Sequence, residues 1–349
     1  MKILLIGNNF FNYTSALYQA FSELNNEAAL CILKDNWIAT PAGQVFRKVN
    51  DMGYLLRGKK DIVGIHSNAV ICEDNRKVLE MYDWFKPDAV VSFAGYTLNR
   101  SSLKHMKRCP KIFWVYDAYE RLSDKVKQAL PYYDRICTFE KDDIRHYEQL
   151  GIKACFLPLC ADDSVYYPKA KEKDIDVSFA GALTKERLAL FRKIRSRMPG
   201  IKMNIYGTYA GRYNIAGRIS RNMHAEQGVF MNRGLSPDAV NDLYARSKIC
   251  INLHRAQSRY GANIRLYELL AAGAFQITDS NPYIEDNFKG CLETFHNSSE
   301  LLQLLEYYLG REEERKIISD SGYQKAMKSE LFIHRAGTLL KMLHEMSIG

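Results

Sequence analysis

The residue types best suited to chemistry fall in one short stretch, where Asn263, Arg265 and Glu268 precede the small, apolar sequence LLAAGA. Arg265 and Glu268 are three residues apart, so a helix would place them on one face. Because the adjoining residues predict a tightly packed helix, we expect this face to point into a polar cleft. A carboxylate there could accept both hydroxyls of a ribose, and a guanidinium could bind a diphosphate. The alternative interpretation is a surface ion pair of little energetic weight.

The strand and loop before this helix supply further candidates for the same site. KICINLH is an apolar run that ends at His254, and Arg255 and Gly261 lie in the loop that follows it. Asn263 is placed to cap the helix, which leaves backbone amides aimed at a ligand. We therefore expect these residues to bind the same ribose and diphosphate together with Arg265.

A second strand-to-helix turn, in IDVSFAGALTKERL, predicts a phosphate-binding loop. The strand ends at Gly181, Thr184 caps the next helix, and Arg187 adds a cation to the partial positive charge of the helix N-terminus. Gly207 and Thr208 end the following strand in the same way. An ordinary strand–turn–helix with solvated charges is the alternative. Neither G-x-G-x-x-G nor G-x-x-x-x-G-K-[ST] is present at these turns, which disfavours a nicotinamide dehydrogenase or a P-loop enzyme.

A carboxylate in the first third of the chain is a candidate catalytic base. Asp117 directly follows the apolar run KIFWVY, at the position where residues of a ligand site stand. It could remove a proton from an acceptor hydroxyl. The alternative is that Asp117 caps the next turn or pairs with Arg121.

Aromatic and amide side chains after two other predicted strands suit the binding of a sugar, which they can stack on and hydrogen-bond. These candidate acceptor-binding residues are Asn8, Asn9, Phe10, Tyr13 and Tyr96.

The elements that must position these residues alternate between strand and helix in both halves of the chain. Continuous apolar runs such as KILLIG and DAVVSFAG are typical of parallel strands that are buried on both faces. The segment 157–175 contains two prolines and a charged run, which indicates a linker. The sequence therefore predicts an α/β fold of two doubly wound, Rossmann-like domains facing a cleft, with ligands beyond the carboxyl ends of the strands.

Composition and charge narrow the class of protein further. The 349 residues are 47% hydrophobic and 26% charged, a globular profile, and the net charge is +9. Residues 185–265 alone hold 16 Lys and Arg against 4 Asp and Glu. This excess favours an anionic partner, although a solvated basic face would have the same composition. No nucleic-acid-binding motif accompanies it, so we expect a nucleotide diphosphate rather than nucleic acid.

Cysteine spacing and hydropathy indicate the compartment. The eight cysteines are scattered without C-x-x-C or paired Cys/His spacing, which argues against a zinc site or a disulfide framework and favours a reducing cytosol. The apolar runs fall short of a membrane span, and MKILLIGNN resembles a strand more than a signal peptide. The expected location is cytoplasmic, with peripheral association at the inner face of the membrane left open.

The segment NIRLYELLAAG, with its Asn-x-Arg-x-x-Glu pattern before Ala-Gly and a strand, resembles the donor-site signature of the CgeB-like (spore maturation) glycosyltransferases, which have the GT-B fold. GALTKERL, LSPDAVNDLYARSKICINLH and YDRICTFEKDDIRHYEQLGIKACFLPLCADDSVYYP resemble other parts of the same family. The resemblance extends from about 112 to 335 and is strongest across 175–280.

The resemblance implies roles for the central residues. Glu268 would hold the ribose of the donor nucleotide, and Arg265 with the loop amides would hold its diphosphate. The final helix of such chains crosses back, which implies a first domain of 1–165 with 330–349 and a donor domain of 166–329. Related retaining enzymes carry E-x7-E, but the position eight residues before Glu268 is Tyr260. This departure leaves the donor and the stereochemistry open.

The function that these observations favour is transfer of a sugar from a nucleotide diphosphate sugar to a glycan, lipid-linked or other cell-surface acceptor. No DxD motif stands in a suitable loop, so we expect the enzyme to need neither a metal nor a cofactor, with Arg, Lys and helix ends neutralising the diphosphate. Two alternatives remain open: a non-catalytic sugar- or nucleotide-binding component of surface assembly, and a sugar-nucleotide epimerase of the same fold. The oligomeric state is open as well.

Overall fold

A computed structural model describes residues 1–8, 10–33, 49, 65–207, 230–231, 234–255 and 258–348. The chain divides into two compact units, the first formed by Met1–Pro158 with Phe332–Gly349 and the second by Leu159–Leu331. Each unit is built on its own six-stranded parallel sheet. The predicted α/β fold of two doubly wound sheets is therefore confirmed.

The sheet of the first unit has the strand order β2-β1-β3-β4-β5-β6. Its central strands are buried on both faces, as their apolar sequences require: Ile3, Leu4, Leu5 and Ile6 are fully inaccessible to solvent. The strands are β1 (Lys2–Gly7), β2 (Glu27–Ile32), β3 (Ala89–Phe93), β4 (Lys111–Val115), β5 (Arg135–Thr138) and β6 (Ala154–Phe156).

Helices of the first unit connect these strands and cover the sheet. They are α1 (Tyr13–Glu23), α2 (Ile65–Phe85), α3 (Arg100–His105), α4 (Asp124–Ala129), α5 (Ile144–Gln149) and, after the chain returns from the second unit, α12 (Phe332–Ile348). The order reverses between β1 and β3, which are hydrogen-bonded neighbours, so the carboxyl ends of these two strands form the switch point of the first sheet.

The sheet of the second unit has the order β12-β11-β10-β7-β8-β9, and its strand pairs are parallel. Counted from β7, this is the 3-2-1-4-5-6 order of dinucleotide-binding folds, with the switch point between β7 and β10. The strands are β7 (Ile175–Ala180), β8 (Met203–Tyr206), β9 (Phe230–Met231), β10 (Ser247–Asn252), β11 (Gln276–Asp279) and β12 (Glu293–Phe295).

Side-chain caps begin several helices of the second unit, and the sequence predicts those at Thr184 and Asn263. Thr184, Ser236 and Asn263 each accept a hydrogen bond from a first-turn amide, and Pro237 stands at the first position of its helix. Gly273 ends one helix with a φ of 61°, a conformation that favours glycine. The helices are α6 (Lys185–Arg197), α7 (Pro237–Arg246), α8 (Ile264–Ala271), α9 (Pro282–Asn287), α10 (Ser298–Leu309) and α11 (Glu312–Ser329).

Candidate functional site

The carboxyl ends of β7 and β10 bring together most of the predicted donor-binding residues. These strands are neighbours in the sheet, with Cys250 paired to Ser178, and the loop after each leads toward a capped helix. Gly181 and Arg187 follow β7, whereas His254, Asn263 and Arg265 follow β10. Since ligands of such sheets bind beyond the carboxyl ends at the switch point, this region is the candidate site of the second unit.

Arg187 ties the two loops to each other. Its guanidinium donates to the Ala182 carbonyl oxygen at 2.7 Å, to the Leu253 carbonyl oxygen at 2.7 Å and to the His254 carbonyl oxygen at 3.2 Å. The sequence predicts that this arginine contacts the donor directly. Its hydrogen bonds hold the ends of the β7 and β10 loops together, and its predicted contact with the donor stays a prediction.

Arg265 lies against Gly181, where the β7 loop begins. A Cβ atom added to Gly181 would stand 3.0 Å from an Arg265 terminal nitrogen, so glycine provides the space that this side chain occupies. Both guanidinium groups lie over the Phe179 ring, at 5.4 Å for Arg187 and 5.7 Å for Arg265. Burial, with the charge of Arg265, lowers the pKa of Arg187 to about 10.

The loop after β8 approaches the same point. A Cβ atom at Gly207 would lie 1.8 Å from the Gly181 carbonyl oxygen, so only glycine allows the two backbones to come this close. Thr208, the next predicted donor residue, lies outside the described residues.

Asn263 joins the start of α8 to the end of β10. Its side-chain oxygen accepts from the Leu266 amide at 3.1 Å, and its side-chain nitrogen donates to Asn252 Oδ1 at 3.0 Å and to the Leu253 carbonyl oxygen at 3.2 Å. The predicted cap is confirmed. Its further bonds fix the direction in which the first turn of α8 presents Arg265.

Glu268 is buried, with only 4% of its surface exposed. Its charge lies close to the buried Tyr244 hydroxyl: burial and this charge raise the pKa of Tyr244 well above its usual value, whereas Arg265 opposes the shift. The carboxylate therefore belongs to a desolvated polar group with Tyr244 and Arg265, rather than to an exposed ion pair. A carboxylate so placed interacts strongly with any hydroxyl that reaches it.

Asp279 is a functional candidate that the sequence reasoning missed. One of its carboxylate oxygens lies 2.7 Å from His254 Nδ1, and the two oxygens accept from the His254 amide at 2.8 and 2.9 Å. The imidazole is 4% exposed, and its Nε2 is buried without a hydrogen-bond partner among the described residues. The available signal was that Asp279 ends the apolar run AFQIT, as Asp117 ends KIFWVY.

The loop between β10 and α8 has polar and aromatic contacts of its own. Arg255 is exposed, and the Gly261 carbonyl oxygen accepts from Asn281 Nδ2 at 2.9 Å. Tyr260, at the place of the first Glu of E-x7-E, donates to an Asp286 carboxylate oxygen at 3.3 Å. This position is thus occupied by a side chain that is directed to α9.

In the first unit, Asp117 and Tyr96 come together at the carboxyl ends of β4 and β3. The Asp117 carboxylate lies 3.5 Å from Arg121 Nε, and 28% of its side chain is exposed. Burial raises its pKa, and Arg121 with Tyr96 opposes the shift. The Tyr96 hydroxyl is buried, and burial with the Asp117 charge raises its pKa well above its usual value.

The remaining acceptor candidates differ in their burial and contacts. Tyr13 is 4% exposed and its ring centroid lies 6.1 Å from that of Phe332, so it packs in the core instead of offering a face to a sugar. Asn8 is half-buried, and its carbonyl oxygen accepts from the Thr14 hydroxyl. Asn9 and the Phe10 side chain lie outside the described residues.

Within the described ranges, there is no group of three or more His, Cys, Asp or Glu side chains that could hold a metal ion. In the same part of the chain, no helix is both long and apolar enough to cross a membrane.

Comparison with known proteins bears on this site directly. Residues 187–341 match a family model described as glycosyl transferase-like. The chain carries a glycosyl transferase-like domain. This domain includes the candidate donor residues from Arg187 to Glu268, and it agrees with the enzyme class that the sequence indicates. No curated protein matches the chain.

Solved structures share the fold over the full chain. Sucrose-phosphate synthase from Thermosynechococcus elongatus has a TM-score of 0.66 at 9% identity, covering 100% of this chain and 99% of its own. The trehalose-6-phosphate synthase OtsA has a TM-score of 0.68 at 9% identity, covering 99% of both chains. A UDP-forming trehalose-phosphate synthase from Burkholderia vietnamiensis has 0.66 at 11% identity, covering 98% of this chain and 99% of its own. The two parallel-sheet units are therefore those of the GT-B fold.

Proposed function

We propose that the protein transfers a sugar from a nucleotide diphosphate sugar to a carbohydrate-type acceptor, and that it is a CgeB-like member of the glycosyltransferases. The second unit binds the donor, and the acceptor is a glycan, a lipid-linked sugar or another cell-surface molecule. The names of the structural neighbours support the donor class, since a UDP-forming sugar synthase is among them.

The observation that carries this proposal is the pair of guanidinium groups at the switch point of the second sheet. Arg187 and Arg265 share the Phe179 ring, and their mutual repulsion contributes to the low pKa of Arg187. Bringing two like charges together in a partly desolvated place costs free energy; the Asp279 carboxylate offsets part of this cost for Arg187, and a bound anion would offset more of it. A diphosphate has the charge and the oxygen geometry to accept from such groups.

In this proposal, Arg187 positions the loops and Arg265 binds the diphosphate. Arg187 has its guanidinium engaged with three carbonyl oxygens, so it holds the loops and supplies a distant charge. Arg265 lies beside Gly181, in the loop that leads from β7 to the capped N-terminus of α6, and a helix N-terminus is suited to a phosphate. Arg265 is therefore the direct ligand of the diphosphate.

Arg265→Ala should weaken the binding of UDP or GDP by about 10- to 150-fold, because one charge-assisted contact of about 1.5–3 kcal/mol is lost. Titration calorimetry with both nucleotides measures the effect. Arg197→Ala is the matched control, since Arg197 is an exposed arginine of α6 paired with Glu306. Equal affinity in the Arg265 variant and the parent would exclude Arg265 as a ligand.

We expect turnover to proceed without a divalent metal, since the arginine pair and the capped helices α6 and α8 can neutralise the diphosphate. Incubation with a panel of nucleotide sugars and a carbohydrate acceptor in excess EDTA should release nucleotide at the rate seen without EDTA. A rate that falls with EDTA and returns with Mg²⁺ or Mn²⁺ would contradict this expectation.

The residue at the first Glu position of E-x7-E supports a second candidate function, a non-catalytic protein that binds a sugar or a nucleotide. Tyr260 replaces the first Glu of E-x7-E, and its hydroxyl is hydrogen-bonded to Asp286. The same panel separates the candidates: nucleotide binding without release indicates a binding component, and conversion of one nucleotide sugar to another indicates an epimerase.

A further inference from the structure

Three sulfur atoms from three separate elements meet in the first unit. Cys137 in β5 and Cys155 in β6 are register partners in the parallel sheet, and Met342 reaches them from α12. The Cys137 and Cys155 sulfurs are 3.6 Å apart, and the Met342 sulfur lies 3.8 Å from the first and 3.9 Å from the second. The sulfurs thus form a nearly equilateral triangle.

The size of this triangle matches trigonal coordination. A point equidistant from three sulfurs with these separations lies about 2.2 Å from each, close to the roughly 2.3 Å of a metal–thiolate bond. Two thiolates and a thioether form a soft donor set, of the kind that selects Cu(I). A hard ion such as Mg²⁺ prefers oxygen and would not be held here.

We propose that Cys137, Cys155 and Met342 form a binding site for one soft monovalent cation of the Cu(I) class. The ion enters as Cu(I), so no electron is transferred. Each cysteine thiol loses its proton to solvent as its sulfur binds, and the thioether binds without proton loss. Two thiolates and one cation leave a single negative charge, which Arg135, on the same face of β5 as Cys137, is placed to offset.

The site has a route to solvent and a structural consequence. Cys137 is fully buried, but Cys155 is half-buried and lines a surface depression of about 500 Å³ with Arg135, Glu148 and Lys153. An ion can therefore arrive past Cys155. Because Met342 belongs to α12, the bound ion would fasten this helix to the edge of the sheet.

Titration of the full-length, reduced protein with Cu(I) under anaerobic conditions, in competition with a chromogenic chelator, tests the site. We expect one ion per chain, a thiolate-to-copper absorption band, and a higher melting temperature for the loaded protein. Met342→Leu keeps an apolar side chain of similar volume and should fold, yet it should weaken Cu(I) binding at least about 10-fold, since even indirect partners of metal ligands have effects of 10- to 100-fold. Cys155→Ser should weaken it further.

The control is a Cys72→Ser/Cys291→Ser variant, which removes one exposed and one half-buried thiol elsewhere and should bind Cu(I) like the parent. If this control variant no longer bound Cu(I) tightly, the assignment of the site would be overturned. So would equal affinities in the parent and Met342→Leu, or Zn²⁺ binding that matches Cu(I). Because binding is read without sugar substrates, the result is independent of the proposed transferase activity.

Discussion

Asp117→Asn is expected to lower kcat at least about 100-fold while leaving nucleotide affinity nearly unchanged, because general-base assistance is typically a factor of about 10²–10⁴. The carboxylate stands at the carboxyl end of β4, is partly exposed, and has a raised pKa because of burial. A base whose pKa is raised toward the working pH is better matched to proton transfer. The donor residues belong to the second unit, so their affinity for nucleotide should not follow Asp117.

The pH dependence gives an independent measurement of the same group. Asp117 acts when it is ionised, so turnover should rise with pH through its folded pKa, which lies above the ordinary value of 3.8. Stability responds in the opposite sense: a raised carboxyl pKa means that the folded state holds the proton more tightly, so this group's contribution to folding is lost as pH increases. A purely structural Asp117 would show the stability effect without the effect on kcat.

Asp124→Asn is the matched control for Asp117→Asn, since Asp124 is an exposed acid in the first turn of α4 in the same unit. It should leave kcat, nucleotide affinity and melting temperature close to those of the parent. If Asp117→Asn lowers the melting temperature but leaves the kcat of the folded fraction intact, the 3.5 Å pair with Arg121 is its main role. The anomeric configuration of the product belongs in the same assay, because retention would remove the need for such a base.

Much of the fold could be predicted because its central strands are continuous apolar runs and its helices carry local caps. KILLIG contains β1, and Thr184 and Asn263 cap their helices as expected. These signals are local: a strand buried on both faces needs an apolar side chain at nearly every position, and a cap needs one side-chain oxygen. The edge strands β6 and β12 have only three residues each, too short for a pattern to form.

The side-chain contacts of the site were less predictable because they are set by elements distant in sequence. Arg187 donates to the carbonyl oxygens of Leu253 and His254, 66 and 67 residues away, so these contacts have no local signal in the sequence. Tyr13 follows β1 in sequence, as a ligand residue would, but Phe332 from the returning helix covers its ring. Sequence position predicts which side chains follow a strand end, but it cannot tell which of them other elements will cover.

Glu268→Ala is expected to weaken nucleotide diphosphate binding about 30- to 900-fold, because two charge-assisted hydrogen bonds to the ribose hydroxyls would be lost, on the order of 2–4 kcal/mol. The carboxylate is 4% exposed, so its interaction with a hydroxyl is little screened by water. Titration with UDP and GDP measures the change, and the 2′-deoxynucleotide should bind the parent more weakly than the ribonucleotide. That difference should disappear in the variant.

Burial of Glu268 calls for variants that separate binding from folding. Glu268→Gln retains the volume and one acceptor oxygen, so its affinity should fall between those of the parent and Glu268→Ala at an unchanged melting temperature. Tyr244→Phe removes the buried hydroxyl that neighbours the carboxylate without altering the carboxylate itself, and should bind nucleotide like the parent. If Glu268→Gln and the parent discriminate equally between ribose and 2′-deoxyribose, Glu268 does not hold the ribose. Its buried charge would then serve to orient Arg265 beside Gly181, and the loss in Glu268→Ala would match that in Arg265→Ala.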